Sequence, residues 1–276
     1  MAQNWHLRIW GTRGSVPVSG LQHVRHGGRT TCLELDLGHA RILVDAGSGL
    51  AEFGRRHATD LKPTLLLMTH LHWDHVLGFP HCGAIYMPGW TLDVRGVPRQ
   101  GVTVLDALFD LNRPPLFPVD LRTGSGVKYV HTALEEQGNT HFHGVEIDWM
   151  PVEHPGGCTA FRFSLGGRRI VFTGDVELAR TDQQALGAFS QGADVLLIDS
   201  QYTADEYPNH VGWGHSTNLD AAEFALRSGA RRLLLTHHDP RHDDDDLDVM
   251  EAQARSIFTG AQAAADGMVV SSDDLP

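Results

Sequence analysis

Short runs of hydrophobic residues recur along the chain between glycines, prolines and charged residues, and this pattern indicates β-strands. Several of the runs are almost continuous in leucine, valine and isoleucine, as in strands covered on both faces. The predicted strands are 6–10, 31–37, 41–44, 64–68, 145–152, 160–165, 169–172, 195–198 and 232–235.

Helical patterns follow several of these strands. One predicted helix covers 219–227, opened by the polar residues Ser216, Thr217 and Asn218 and ended by Gly229. Two others are predicted over 247–258 and 181–190. Because strands precede helices through short links, the expected fold is a layered α/β architecture.

The segment from about 79 to 144 differs from the rest of the chain. It is rich in proline and reads mostly as loops, with one helix near 104–112. Its aromatic residues argue against disorder. We therefore expect a single domain over 1–276, in which 79–144 is a loop-rich insertion that forms a lid over the pocket.

Composition restricts the class of protein further. The chain has 276 residues, 41% of them hydrophobic and 20% charged, which is ordinary for a soluble globular protein. No apolar run approaches the roughly 18 residues of a membrane-spanning helix, and no secretory leader is visible at the start. The three cysteines are scattered, so a reducing, cytoplasmic location is predicted.

The formal net charge is −12, from 22 basic and 34 acidic residues. A surface of this sign disfavours binding of extended nucleic acid. A small anionic substrate remains compatible, since a metal site can supply local positive charge. Part of the acidity lies in four aspartates at 243–246, which we interpret as a solvated loop before a helix.

The candidate chemistry begins directly after the predicted strand 64–68. The stretch THLHWDH places four metal-type ligands within six residues: His70, His72, Asp74 and His75. Such a cluster is costly to bury unless a cation compensates it. A mixture of imidazoles and a carboxylate suits zinc, with manganese or iron as alternatives.

Other predicted strands also end in metal-type residues. His154, Asp175 and His237 follow three of them, and Asp45 and Asp199 follow two more. In open α/β sheets ligands gather beyond the carboxyl ends of strands. The pattern therefore predicts a metal site at these ends, with His238 as a rival to His237.

With these residues the sequence resembles the metallo-β-lactamase superfamily, whose main motif THLHWDH matches and whose later ligands follow in order. The resemblance implies an αββα sandwich that holds two divalent metal ions, most commonly Zn²⁺. It implies that the first ion is held by His70, His72 and His154. It implies that Asp74, His75 and His237 hold the second ion and that Asp175 bridges both. Asp45 would orient a ligand imidazole.

Further features are similar to the tRNase Z-like phosphodiesterase branch. His215-Ser216-Thr217 resembles its HST motif, and 9–15 resembles its glycine-rich first turn. Asp175 fills the bridging position, where the zinc β-lactamases have a cysteine. Only 20 residues separate His154 from Asp175, which leaves no room for the arm that grips tRNA. The chain is thus more similar to the arm-less phosphodiesterases that act on small cyclic phosphates.

The resemblance implies hydrolysis of a small anionic phosphodiester, of the cyclic nucleotide or cyclic phosphate type, by a metal-bridging hydroxide. Asp74 and His215 are the predicted catalytic residues, the latter as a proton donor or phosphate binder. Ser216, Thr217 and Arg241 are predicted to bind substrate, and a homodimer is expected. Three alternatives stay open: a nuclease without the arm, a carbon-ester hydrolase (lactonase, thioesterase or β-lactamase), and a non-catalytic metal-binding module.

Overall fold

A computed structural model describes residues 4–275 as two compact units, each built on one seven-stranded mixed sheet. The sheet A unit comprises residues 4–11, 29–135 and 266–275, and the sheet B unit comprises 12–28 and 136–265. The α/β class predicted from the sequence is confirmed. Within 4–275, none of the helices is long and apolar enough to cross a bilayer.

Sheet A has three antiparallel strand pairs followed by three parallel pairs. Its spatial order is β14-β1-β2-β3-β4-β5-β6. The strands are β1 (His6–Gly11), β2 (Cys32–Asp36), β3 (Arg41–Val44), β4 (Thr64–Met68), β5 (Thr91–Gly96), β6 (Lys128–Ala133) and β14 (Val269–Ser271). Strands β3 to β6 run in one direction, so their carboxyl ends lie at the same edge of the sheet.

Four helices belong to the sheet A unit: α1 (Gly49–Arg56), α2 (Trp73–Val76), α3 (Val104–Leu111) and α4 (Leu121–Gly124). Phe53 of α1 and Leu108 of α3 join one buried cluster with Leu66 and Met68 of β4. Alternate residues of β4 lie on the other face of the sheet and are buried too. Burial on both faces explains why the run 64–68 is continuously apolar.

Sheet B has the same plan, with the order β13-β12-β11-β10-β9-β8-β7. The strands are β7 (Gly138–Phe142), β8 (Val145–Val152), β9 (Cys158–Leu165), β10 (Arg168–Phe172), β11 (Val195–Asp199), β12 (Leu233–Thr236) and β13 (Ala261–Ala263). Strands β8 and β10 are both antiparallel to β9, and β10 to β13 pair in parallel. The carboxyl ends of β8, β10, β11 and β12 therefore meet at one edge.

The helices of the sheet B unit are α5 (Gln183–Ser190), α6 (Asn218–Ser228) and α7 (Asp244–Ile257). All three contribute to one buried cluster with alternate residues of β11 and β12. The side chain of Thr217 caps α6, and Gly229 ends it in the left-handed conformation. Both ends of this helix agree with the prediction from sequence.

Two predictions from sequence need correction. The segment 79–144 is not mostly loop, since it contributes β5, β6 and β7 as well as α3 and α4. Polar residues interrupt the hydrophobic pattern of β5, where Asp93 and Arg95 form an ion pair. The acidic run is also not a loop before a helix. Asp243 caps α7 in a capping box and the three aspartates after it form the first turn, where negative charge is favourable.

Candidate metal and catalytic site

Each unit gathers one group of metal-type side chains at the carboxyl ends of its parallel strands. In the sheet A unit, Asp45 follows β3 and the THLHWDH stretch follows β4. In the sheet B unit, His154 follows β8, Asp175 follows β10, Asp199 ends β11 and His237 follows β12. The strand directions thus account for the convergence within each group.

The sheet A group is compact. The ring centroids of His70 and His72 are 4.5 Å apart, and those of His70 and His75 are 4.2 Å apart. His75 Nε2 lies 3.3 Å from Asp74 Oδ2. Asp74 and two of the histidines are buried, whereas His72 is exposed. The short helix α2 produces this arrangement, because it turns Asp74 and His75 back toward the end of β4.

Asp45 supports the sheet A group through contacts with Thr69 and His75. One of its carboxylate oxygens lies 2.8 Å from His75 Nδ1 and accepts a bond from Thr69 Oγ1, while the other accepts the Thr69 backbone N–H. Burial raises the pKa of the Asp45 carboxyl, and the His75 and Thr69 donors oppose that rise. Asp45 also has a φ of 61°. Such conformations are costly outside glycine and cluster at functional sites.

The sheet B group brings His154, Asp175 and His237 together. Asp175 Oδ2 lies 3.0 Å from His237 Nε2 and 3.8 Å from His154 Nε2. All three side chains are buried. His154 Nδ1 lies 2.8 Å from the carbonyl oxygen of Gly214. Gly214 has a φ of 90°, and a Cβ there would come within 2.3 Å of the His154 ring, so this close support requires glycine.

His215 lies among these residues with a carboxylate partner of its own. Its ring stacks on His237 at a centroid distance of 4.7 Å and meets His154 edge-on at 5.1 Å. His215 Nδ1 is 2.6 Å from Asp199 Oδ2. Asp199 is fully buried and also accepts backbone N–H groups from Val176 and Gln201. Its occupied oxygens favour a role as the orienting partner of His215 rather than as a metal ligand.

Sequence reasoning missed this pairing. The sequence indicates that Asp199 lies at a strand end, but nothing in the local sequence relates it to a histidine 16 positions later. The Gly214 carbonyl was missed for the same reason. A strand-end aspartate with no other assignment was the only signal of the pair.

The structure separates His237 from its rival His238. His238 Nε2 lies 3.0 Å from the carbonyl oxygen of Ala264, so that nitrogen serves as a donor. Burial and the nearby Arg13 guanidinium lower the pKa of His238 well below its usual range. A neutral imidazole held this way stabilises the fold. His237 instead has a φ of 58° and faces Asp175.

The donor set fits a divalent metal ion. His75 and His154 each have Nδ1 against a carboxylate or carbonyl oxygen, and this arrangement is common in histidines that ligate a metal through Nε2. Ligands at 2.0–2.2 Å from a tetrahedral ion lie about 3.4 Å from one another. The separations of 3.0 to 3.8 Å between Nε2 and carboxylate atoms within each group are of this size.

The three residues predicted to bind substrate all have protein partners. The Ser216 hydroxyl donates to the Val176 carbonyl oxygen and accepts the Leu178 N–H. Thr217 caps α6. Arg241 forms two hydrogen bonds to the Asp239 carboxylate, which raises the pKa of the guanidinium. Their substrate-binding role stays a prediction, and the structure gives each of them a structural one.

Gly14 offers a test of how tightly the His237 ring must be held. A Cβ at this position would lie 2.3 to 2.4 Å from His237 ring atoms, so Gly14→Ala must displace the ring. We expect zinc affinity to fall about 10- to 100-fold, as for a lost supporting contact, in competition with a chromophoric chelator. Gly187→Ala is the control, since its Cβ would meet no atom within 4 Å. Equal zinc affinity in both variants would contradict the prediction.

Comparisons with known proteins give the family and the fold of this chain. A family described as "Beta-lactamase superfamily domain" matches residues 40–238. The chain is 44% identical to Ribonuclease Z of Gemmatimonas aurantiaca, over 95% of this chain and 94% of the relative. It also resembles two solved structures in fold. A metallo-β-lactamase fold protein from Bacillus subtilis has a TM-score of 0.76 and 23% identity, with 98% of this chain and 99% of that chain covered. The short form of human tRNase Z has a TM-score of 0.72 and 18% identity, with 96% and 98% covered.

Proposed function

Because the chain belongs to the metallo-β-lactamase superfamily, in its ribonuclease Z-like branch, we propose that it is a phosphodiesterase that uses two divalent metal ions. The observation that carries this proposal is the His215–Asp199 pair. A histidine that is oriented by a buried carboxylate, yet lies beside the ligand-type residues, suits proton transfer to a leaving oxygen.

The ligand assignment is also a proposal. His70, His72 and His154 would hold one ion, and Asp74, His75 and His237 the other. Asp175 would bridge the two, which agrees with its position near both His154 and His237. The mixed imidazole and carboxylate set favours Zn²⁺, with Mn²⁺ or Fe²⁺ as alternatives.

The residues of the chain supply the proton transfers. When bound, two such ions would lower the pKa of a shared water toward about 7 and neutralise charge on the phosphoryl oxygens. In this proposal Asp74 would accept a proton from the attacking water. Asp199 holds His215 by Nδ1, so Nε2 is the atom that can deliver a proton to the leaving oxygen. The Asp199 carboxylate would stabilise the imidazole of His215 in its protonated form before this transfer.

A small phosphodiester is our proposed substrate class. The net charge of −12 disfavours a long polyanion. The 20 residues between His154 and Asp175 are filled by the β9–β10 hairpin and its short flanks, so no arm extends from this position. Moreover, the alignment with the Gemmatimonas relative spans 308 positions against 276 residues in this chain. That relative therefore carries at least 32 positions that this chain lacks.

RNA cleavage is the second candidate, because the relative that is 44% identical over almost the whole chain is named Ribonuclease Z. An RNA end could enter the same site without an arm to grip the rest of the molecule. A cytoplasmic location and a homodimer stay predictions of the proposal.

A substrate panel tests the proposal. We expect zinc- or manganese-loaded protein to hydrolyse bis(p-nitrophenyl) phosphate and at least one cyclic nucleotide, and to lose this activity with EDTA. Hydrolysis of a tRNA precursor in preference to the small esters would support the second candidate. Cleavage of a lactone, a thioester or nitrocefin but of no phosphodiester would refute both, and so would a failure to bind any divalent ion.

A further inference from the structure

Trp213 is an unusually exposed aromatic residue close to the candidate catalytic histidine. It lies two residues before His215, and 60% of its surface is exposed. Its ring meets His210 edge-on at 5.0 Å, and His210 stacks on Tyr202 at 4.3 Å with an interplanar angle of 22°. Tyr202 is buried. The exposed indole is therefore the outermost ring of a packed aromatic series rather than part of the core.

The backbone on both sides of Trp213 is held by one buried carboxylate. Glu177, which is 1% exposed, accepts the N–H of Gly212 at 2.8 Å and the N–H of Gly214 at 3.0 Å. It also accepts the Tyr207 hydroxyl at 2.8 Å. A buried carboxylate is costly unless donors surround it, and here most of them come from this one loop. The loop is thus held by contacts within the protein.

The same loop supports the candidate site. The Gly214 carbonyl oxygen contacts His154 Nδ1, and His215 follows directly. Trp213 therefore lies at the margin of the sheet B group. An exposed tryptophan on a fixed backbone offers a large flat surface that loses little conformational entropy when it binds.

We propose that Trp213 stacks on an unpaired nucleobase of the substrate. The inference rests on the proposed phosphodiesterase function and narrows its substrate to nucleoside-containing phosphodiesters, as opposed to cyclic phosphates of sugars alone. Stacking suits such a role because every base has a flat π-face, and it needs no positive surface. Two kinds of ligand contain an unpaired nucleobase next to a phosphate: a mononucleotide and the end of an RNA strand.

Binding of nucleotides to zinc-loaded protein tests the proposal without any need for turnover. By isothermal titration calorimetry, we expect the wild type to bind AMP more tightly than ribose 5-phosphate. Trp213→Ala should weaken AMP binding about 5- to 150-fold, the range for loss of one base stack, and leave ribose 5-phosphate unchanged. Trp213→Phe should fall between the two, since it keeps a smaller ring. Leu226→Ala is the matched control, because Leu226 is 57% exposed on α6.

The ligands also separate the two sources. Tighter binding of AMP than of a trinucleotide RNA indicates a mononucleotide, and the reverse indicates an RNA end.

The proposal is overturned if Trp213→Ala binds AMP like the wild type, or if the wild type does not favour AMP over ribose 5-phosphate. Metal-dependent hydrolysis of bis(p-nitrophenyl) phosphate by the wild type is measured in parallel. If the wild type hydrolyses the ester but Trp213→Ala does not weaken AMP binding, only the role of Trp213 is refuted. If the wild type does not hydrolyse the ester but Trp213→Ala does weaken AMP binding, the proposed phosphodiesterase function is refuted and nucleobase binding by Trp213 is supported.

Discussion

Asp175→Ala is expected to abolish phosphodiester hydrolysis and to reduce bound zinc from about two ions per chain to one or none, as loss of a bridging ligand implies for a two-metal site. The physical reason is the position of the carboxylate. Asp175 Oδ2 lies within 4 Å of the Nε2 atoms of both His154 and His237. Metal analysis of the purified variant, together with turnover of bis(p-nitrophenyl) phosphate, measures both effects.

Thermal unfolding separates a lost ligand from a damaged fold. A ligand that binds only the native state raises the melting temperature by mass action. Zinc should therefore stabilise the wild type but not Asp175→Ala, while the two proteins should melt at similar temperatures in EDTA. Asp175→Asn, which keeps the shape, should behave like the alanine variant. Asp182→Ala, which removes an exposed carboxylate from the cap of α5, should keep the full zinc response. A wild-type zinc response in Asp175→Ala would refute the bridging role.

Two of the strands that lead to candidate site residues, β4 and β11, are predictable from the sequence because every residue in them is buried. Strand β4 is buried on both faces, so its sequence is continuously apolar. The apolar run stops where the strand ends. The run 195–198 in β11 behaves in the same way. Burial selects the residue type at every position of such strands, which makes both bounds readable within a residue or two.

The strands of the segment 79–144 are hard to predict from the sequence for the opposite reason. Strand β5 alternates between buried and partly exposed residues and is only six residues long, and β6 is mostly exposed. These strands are specified by their parallel pairing with β4 and with each other. Pairing between strands that are far apart in the chain leaves no strand pattern in the local sequence. The prolines at the turns of this segment therefore make it resemble a loop.

In the candidate site, too, some features are predictable from the sequence and others are not. The ligand-type residues could be named from a compact motif and from strand ends. Their supporting contacts could not, because each joins residues that only the fold brings together. Asp199 meets His215 across a loop, and Gly214 supports His154 from 60 positions away. A metal ligand is visible in the sequence, whereas the group that orients it becomes visible only in three dimensions.

His215→Ala is expected to keep its zinc and to lose about 10²- to 10⁴-fold in turnover, the usual contribution of a general acid. Retention of metal is expected because His215 is not among the seven proposed ligands, and its ring is oriented by Asp199. Metal content and kcat on bis(p-nitrophenyl) phosphate are measured side by side, with His39→Ala, at an exposed turn, as the control. Turnover at the wild-type rate would exclude His215 from the chemistry, and loss of zinc would make it a ligand.

A leaving-group series then decides what His215 does. A general acid matters most when the departing oxygen is strongly basic, since a good leaving group departs without a proton. If His215 donates the proton, His215→Ala should slow aryl methyl phosphates with poor leaving groups far more than those with good ones. The dependence of log kcat on leaving-group pKa should then be steeper in the variant. If His215 instead binds a phosphoryl oxygen, both classes should slow by the same factor. Asp199→Asn should give a smaller loss and a slope between those of the wild type and His215→Ala, because it leaves the imidazole in place but removes the carboxylate that stabilises its protonated form.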